Sequence, residues 1–306
     1  MDPITQIAYD ARQAAIVLQS ASTSQKSVAL QLIIEKLLSA KSDILAANQK
    51  DKELALVQVE AGKLSGSLYK RLDLQGPGKF ETMVQGIRDV DALEDPVGKV
   101  QRATRLDHGL ELYQVSCPVG VLLVIFEARP EVVANIAALA IKSGNAAILK
   151  GGKESLYTCN AISKAIQQAL DEALLEGGEG KEKGVIPGKA IQVVESREDI
   201  DGLLKQDKYI DMVVPRGSNA LVKYIQWNTR IPVLGHADGL CSTYIAESAS
   251  YNLAQRTVDS TEEAIQHIND HGSKHTEAIL TEDEVEAKRF MSAVDAAGVY
   301  WNASTR

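Results

Sequence analysis

The sequence predicts an α/β protein built on a doubly wound parallel sheet, and three observations carry that prediction. Val119 to Phe126 is an unbroken apolar run, the composition of a strand buried on both faces of a parallel sheet. Pro130 opens a helix whose Val132, Val133, Ile136, Leu139 and Ala140 form one apolar face, and Gly144-Asn145 supplies a left-handed stop before Ala146 to Leu149 resumes as strand. Helix and strand then alternate as far as Ile245, the pattern of a parallel, doubly wound sheet.

The elements follow in order. The N-terminal part reads as helix: Ile4, Ile7, Ala8 and Ala11, then Leu30, Ile33, Ile34, Leu37 and Leu38, recur at helical spacing. Loops fall at Gln75-Gly76-Pro77-Gly78 and at Glu94 to Gly98. Leu110 to Val115 alternates apolar and polar residues after an Asp107-His108-Gly109 turn, which predicts an exposed strand or hairpin. Beyond Leu149 the pattern predicts helices at Ser155 to Leu174, Arg197 to Leu204 and Gly217 to Trp227. Strands are predicted at Ala190 to Val194, Ile210 to Val214, Ile231 to Leu234 and Ser242 to Ile245. The Gly-, Glu- and Lys-rich stretch Gly177 to Gly184 reads as a mobile loop. Near the C-terminus, Ser260-Thr-Glu-Glu263 and Thr281-Glu-Asp-Glu284 read as capping boxes, each opening a helix that leads to a strand, Ala278 to Leu280 and Gly298 to Trp301. Residues 1–245 are expected to form a nucleotide-binding domain, and residues 246–306 the start of a second α/β domain.

Composition narrows the function. With 45% hydrophobic and 24% charged residues the 306-residue chain has ample material for a core. A formal net charge of −8 argues against a nucleic-acid partner. The longest apolar run is too short to cross a bilayer, and Met1-Asp2-Pro3-Ile4 opens without a signal-peptide pattern. Cys117, Cys159 and Cys241 lie far apart with no C-x-x-C pair, which suits free thiols in a reducing compartment and offers no zinc site. The expectation is a cytoplasmic protein without a metal.

Neither G-x-G-x-x-G nor G-x-x-x-x-G-K-[ST] occurs. Lys150-Gly151-Gly152-Lys153 ends a strand just before a helix, where ligands of such sheets collect; it reads equally as a tight turn with two solvated lysines. Pro215-Arg216-Gly217-Ser218 also joins a strand to a helix and reads either as a pyrophosphate site or as an ordinary N-cap.

The stretch Pro118 to Ser155 resembles the core of the γ-glutamyl phosphate reductases, members of the aldehyde dehydrogenase superfamily. The likeness extends through Lys70-Arg71-Leu72, Glu94 to Gly98, Val214 to Asn219, Pro232 to Gly239 and Val299 to Arg306, and the core's wording, with Trp301 before Asn302, is more fungal than bacterial. The resemblance implies an aldehyde dehydrogenase-like fold. It also implies NADPH-dependent reduction of glutamyl 5-phosphate to glutamate 5-semialdehyde in proline biosynthesis, with a functional link to glutamate 5-kinase. It implies a homodimer or higher homo-oligomer, paired through a hairpin near residues 106–117. It places Lys150, Gly151, Gly152 and Lys153 at the adenosine ribose and its phosphate, and Pro215, Arg216, Gly217 and Ser218 at the pyrophosphate. Glu127 and Arg129 fall beside the substrate, Arg129 as partner of its phosphate or carboxylate, or else as a helix-start residue paired to Glu127 or Glu131. His236, with Asp238 nearby, is a candidate for proton transfer, and Asn302, Ser304 and Thr305 end a strand that approaches the substrate.

One departure stands out. The family works through a cysteine thiolate in a segment reading roughly Pro-x-x-Cys-Asn-Ala-x-Glu-Thr, expected after Ser242 to Ser250, and the chain carries no such segment. The sequence passes from Ala246 to Ser250 almost directly to Gln255 to Thr261. A tail beyond Arg306 is also expected from the family. None of the three cysteines fits the role, so an alternative reading is a non-catalytic NADP-binding remnant.

Overall fold

The computed structural model describes residues 1–175, 185–235, 239–247 and 258–305. The stretch Gly177 to Gly184, His236, Asp238 and the junction at Ser250 and Tyr251 therefore lie outside the described residues. The chain divides into two compact units, Met1–His236 and Ala237–Arg306.

The first unit opens with the expected helices: α1 (Pro3–Ser20), α2 (Thr23–Ser39), α3 (Lys41–Glu60), α4 (Gly66–Leu72) and α5 (Lys79–Ala92). Their starts are set by local chemistry. Asp2 accepts from the Ile4 and Thr5 amides with Pro3 behind it, Ser22 and Gln25 form a capping box, and Ser65 accepts from the Leu68 amide. A hairpin of β1 (Val100–Asp107) and β2 (Leu110–Val115) follows, antiparallel, with every residue of β2 exposed.

The central sheet comprises β3 (Val121–Ile125), β4 (Ala146–Lys150), β5 (Ile191–Val193) and β6 (Met212–Pro215) in the order β5-β4-β3-β6, all parallel. The connecting helices are α6 (Val132–Lys142), α7 (Leu156–Leu175) and α8 (Arg197–Leu203), and α9 (Asn219–Asn228) follows β6. Helix α1 lies against β3, β4 and β5 and touches α8, whereas α6 and α7 pack on each other and on β4 and β5. All five residues of β4 are buried, so both faces of the sheet are covered, as the apolar strands require. Gly120 enters β3 at φ 126°, where a Cβ would lie 2.0 Å from Asp211 Oδ2, the carboxylate that accepts the Val121 amide.

The expected strand at Ile231 to Leu234 is reduced to a single bridge between Val213 and Val233. Pro232 accepts from the Val213 amide but has no N–H to donate, so the ladder stops there.

The second unit holds β7 (Thr243–Ile245), α10 (Thr261–His271), β8 (Thr276–Leu280), α11 (Glu284–Ala293) and β9 (Gly298–Trp301), its strands parallel in the order β7-β8-β9. Ile268, Ile279, Ala287, Phe290 and Val294 form its core, with Tyr244 stacked on Phe290 at 5.9 Å. Thr243 to Ile245 was expected within the first domain. Its backbone partners are Ala278 to Leu280, so it belongs here. Ser260 caps α10 as expected. The second box is shifted: Asp283, not Thr281, caps α11, because its carboxylate accepts both the Val285 and Glu286 amides while the Thr281 hydroxyl is engaged by Glu286.

Lys26, 2% exposed, is paired with Asp95 at 2.9 Å, and Asp95 also accepts from Thr23 and the Val97 amide. Burial alone would raise the Asp95 carboxyl. The Val97 amide, Lys26 and Thr23 outweigh it and hold the group below its usual range. Lys26→Met should therefore lower stability by about 3 kcal/mol, because it strands a half-buried carboxylate. In the parent protein the contribution of Asp95 is complete above the ordinary carboxylate range and fades as pH falls below it. Urea unfolding at pH 7 and pH 3 checks both: the gap between parent and variant should be large at the first and small at the second.

Candidate functional site

The strand order defines where a ligand can sit. From β3 the chain proceeds outward through β4 and β5, then returns to β6 on the other side of β3, so the carboxyl ends of β3 and β6 border a topological switch point. Register brings the loops level: Ile125 lies opposite both Lys150 and Pro215. The ladder continues past the strands, the Phe126 amide donating to Lys150 O at 3.0 Å and the Arg216 amide to Ile125 O at 2.7 Å. Glu127, Arg129, Lys150, Gly151, Gly152, Lys153, Pro215, Arg216, Gly217 and Ser218, all singled out in the sequence, thus share one edge of the first unit.

Gly217 begins the turn into α9, and a Cβ there would lie 3.1 Å from Glu127 Oε1. The Glu127 side chain is therefore seated against the loop after β6. Desolvation raises the Glu127 carboxyl above its usual range, and the nearby Glu154 adds to the shift. Ser218 caps α9, accepting from the Leu221 amide at 3.3 Å.

Between Glu127 and Arg129 the backbone is strained. Ala128 is fully buried at φ 45°, a conformation that costs a non-glycine residue about 1 kcal/mol. Its amide donates to Glu154 Oε1 at 2.6 Å, from the loop that follows β4. Gly152 permits this, since a Cβ on residue 152 would lie 1.9 Å from the same oxygen. Lys150, 8% exposed, turns its ammonium onto Gly151 O; burial lowers its pKa while Glu154 works in the opposite direction.

Arg129 faces a different space, a cavity of about 790 Å³ whose lining includes Lys70 and Arg71 of α4, Asp73, Lys79 of α5, and Glu131. Lys79 donates to the carbonyls of Lys70 at 3.2 Å and Asp73 at 2.8 Å, and Asp73 is paired with Lys52 at 2.8 Å. Glu131 Oε2 is buried without a hydrogen-bond partner. Burial raises the Glu131 carboxyl, more than Arg129 and Lys79 lower it. Among the described residues Arg129 forms no ion pair with Glu127 or Glu131, so the helix-start pairing open at the sequence level does not occur.

Asn302, Ser304 and Thr305 belong to the second unit. Asn302 adopts φ 48°, and its amide group is bound at both ends to Thr281, accepting from its N–H at 3.1 Å and donating to its carbonyl at 3.0 Å. That is the geometry of a turn lock. Cys159 is 1% exposed and burial pushes its thiol up to about 12, so it is no thiolate. Cys117 and Cys241 are exposed. Cys241 Sγ lies 3.8 Å from His275 Nδ1, a neighbour that sequence reading missed.

Sequence reading also missed the pairing of Ala128 with Glu154, and Lys79; it named Glu131 only as a pairing partner for Arg129. The available signal for the first pair was Gly152, a residue without Cβ two positions before an acid.

No family model matches the chain. Its fold is shared with an acetylating aldehyde dehydrogenase from Geobacillus thermoglucosidasius (TM-score 0.54, 17% identity, 95% of this chain and 57% of that one). The class is therefore an α/β protein of the aldehyde dehydrogenase fold. A γ-glutamyl phosphate reductase from Thermotoga maritima superposes with a TM-score of 0.85 at 28% identity, over 100% of this chain and 89% of that one. The γ-glutamyl phosphate reductase of Saccharomyces cerevisiae is 42% identical over 398 residues, covering 100% of this chain and 85% of the yeast enzyme. The chain belongs to the γ-glutamyl phosphate reductase family of oxidoreductases, and the fungal likeness read from its core is borne out. Nothing in these relatives supports the reading of a non-catalytic remnant. The 398-residue alignment exceeds the 306 residues of the chain, so the yeast enzyme carries positions within it that this chain lacks.

If Glu154 holds the Ala128 backbone, Glu154→Ala and Gly152→Ala should each speed amide exchange at Ala128 by about tenfold, the worth of one charge-assisted hydrogen bond. Hydrogen–deuterium exchange resolved at that amide measures it, and unchanged exchange in both variants refutes the link.

Proposed function

We propose that the chain reduces L-glutamyl 5-phosphate to L-glutamate 5-semialdehyde with release of phosphate, the second step of proline biosynthesis from glutamate, and that NADPH is its reductant. The observation that carries this reading is the convergence of three loops at the switch point of the first unit, in a chain of this reductase family.

The residues present fit a dinucleotide. Gly217 lets the backbone enter α9 where a Cβ would lie 2.9 Å from Leu221 Cδ2 and 3.1 Å from Glu127 Oε1, and α9 presents its N-terminus, which favours an anion. Arg216, Gly217 and Ser218 would hold the pyrophosphate, and Lys150, Gly151 and Gly152 the adenosine ribose. Exposed Lys153 adds a charge suited to a 2′-phosphate. When bound, the nicotinamide supplies hydride to the acyl carbon. The chain's own part is to bind and orient. Arg129 draws the anionic substrate to the loop after β3, and Glu127 stands beside the cofactor loop, its carboxyl raised above the usual range by partial desolvation. No cysteine of this chain is assigned the family's thiolate step.

The hairpin of β1 and β2 supports self-association. Leu106, Leu110, Leu112 and Val115 are 46–58% exposed on a two-stranded ribbon, which is marginal alone and offers free edges to a second copy. Among the described residues no helix is long and apolar enough to cross a membrane. We place the enzyme in the cytoplasm, supplied with its acyl phosphate by glutamate 5-kinase.

Calorimetric titration and an absorbance assay test the reading. NADPH should bind, with Lys153→Ala weakening NADPH about tenfold and NADH little. The semialdehyde with phosphate should reduce NADP in the reverse direction. Failure to bind any nicotinamide nucleotide would falsify the whole reading, and binding without turnover would leave only the cofactor site. Leu112→Lys should shift the sedimentation coefficient toward that of a monomer; an unchanged value would remove the hairpin as the contact.

A further inference from the structure

The cavity beside Arg129 has a charge balance that describes its ligand. Two of its six charged residues are engaged within the protein: Asp73 is paired with Lys52 at 2.8 Å and lies 4.0 Å from Lys79, which also donates to backbone carbonyls of the α4–α5 link. Lys70, Arg71 and Arg129 form no ion pair among the described residues, and all three are exposed. Opposite in sign to them is Glu131, with one carboxylate oxygen buried and unpartnered. Leaving such an oxygen unmade is expensive, so a native site that retains one is expected to fill it from a ligand. The remaining set is three cations and one anion around a space large enough for a small metabolite.

A purely anionic ligand would meet Glu131 as a repulsion, and a simple amine would find the three cations in excess. A ligand carrying an ammonium beside a carboxylate satisfies both. We infer that this cavity is the subsite for the α-amino-acid end of the substrate, Glu131 accepting from the ammonium and Arg129, Arg71 and Lys70 receiving the α-carboxylate. The inference rests on the reductase reading and deepens it, by assigning which end of the substrate lies on the α4–α5 side of the loop after β3. The same loop then divides its work: Glu127 lies against the loop after β6, while Arg129 and Glu131 reach the cavity. The phosphorylated end is thereby directed toward the cofactor edge. The subsite selects amino acids over their deaminated or decarboxylated analogues.

Calorimetry on the intact chain tests this without turnover, with L-glutamate, glutarate and 4-aminobutyrate as probes. L-Glutamate should bind about tenfold more tightly than either analogue, the effect of one buried charge-assisted contact. In Glu131→Gln the preference for L-glutamate over glutarate should fall to about twofold with glutarate binding retained. In Arg129→Gln the preference over 4-aminobutyrate should collapse instead. Equal binding of the three probes to the parent protein, absence of L-glutamate binding, or an unaltered glutamate-to-glutarate ratio in a folded Glu131→Gln would each overturn the assignment. The parent-protein panel decides even if a variant fails to fold. NADPH titration separates the two readings: nucleotide binding without amino-acid discrimination sinks the subsite alone, and discrimination without nucleotide binding sinks the reductase reading alone.

Discussion

Strand β3 is hydrogen-bonded in parallel on both sides, to β4 and to β6, and that pairing governs the first unit. Parallel strands share a direction, so every loop leaving a carboxyl end emerges on the same edge. Because β3 and β4 are buried on both faces, a register slip would carry backbone and apolar side chains out of their partners together. Ile125 is thus held level with Lys150 and Pro215, and the three loops that follow begin within reach of one another. The helices α1, α6 and α7 serve this arrangement by covering the two faces.

On that frame a single hydrogen bond couples the first two loops. Glu154 reaches back to the Ala128 amide and holds a left-handed alanine in place, and Gly152 gives it room. The strain of about 1 kcal/mol is of the size that one good charge-assisted bond offsets. Its effect is directional. With Ala128 turned inward and buried, Glu127 and Arg129 on either side project to different neighbours, one to the loop before α9 and one to the cavity over α4 and α5. The same Glu154 carboxylate acts on Lys150 and Glu127, so the loops are coupled electrostatically as well as mechanically.

The loops at the carboxyl edge of the parallel sheet, the cavity beside Arg129 and the hairpin all lie in the first unit. The second is a small three-stranded body whose best-defined polar feature, Asn302 on Thr281, closes a turn. Cys159 is excluded as a nucleophile by burial, and exposed Cys241 has the Gly239 carbonyl and His275 Nδ1 beside its sulfur. The positions by which the yeast enzyme's alignment exceeds this chain accord with the absence of the family's cysteine segment from its sequence.

Much of the fold was legible from the residues alone, because helix and strand periodicity and capping are short-range physics. Ser260 opens a helix where its side chain predicts. The apolar run before Phe126 had to be a buried parallel strand, and the glycines at 151, 152 and 217 marked the turns that leave its neighbours at the carboxyl edge of the sheet. Failures came where a nearby competitor was stronger or a partner was distant. Asp283 displaced Thr281 as a cap because two amides lay within reach of its carboxylate, and Pro232 left a strand with one bridge. What only the tertiary structure decided were pairings across sequence: Glu154 with Ala128 over 26 positions, Asp73 with Lys52 over 21, and the isolation of Glu131 beside Arg129, its near neighbour in sequence. Local pattern determines which residues stand at the edge of the sheet. Which of their charges are already satisfied within the protein, and which are not, depends on side chains brought together only by packing.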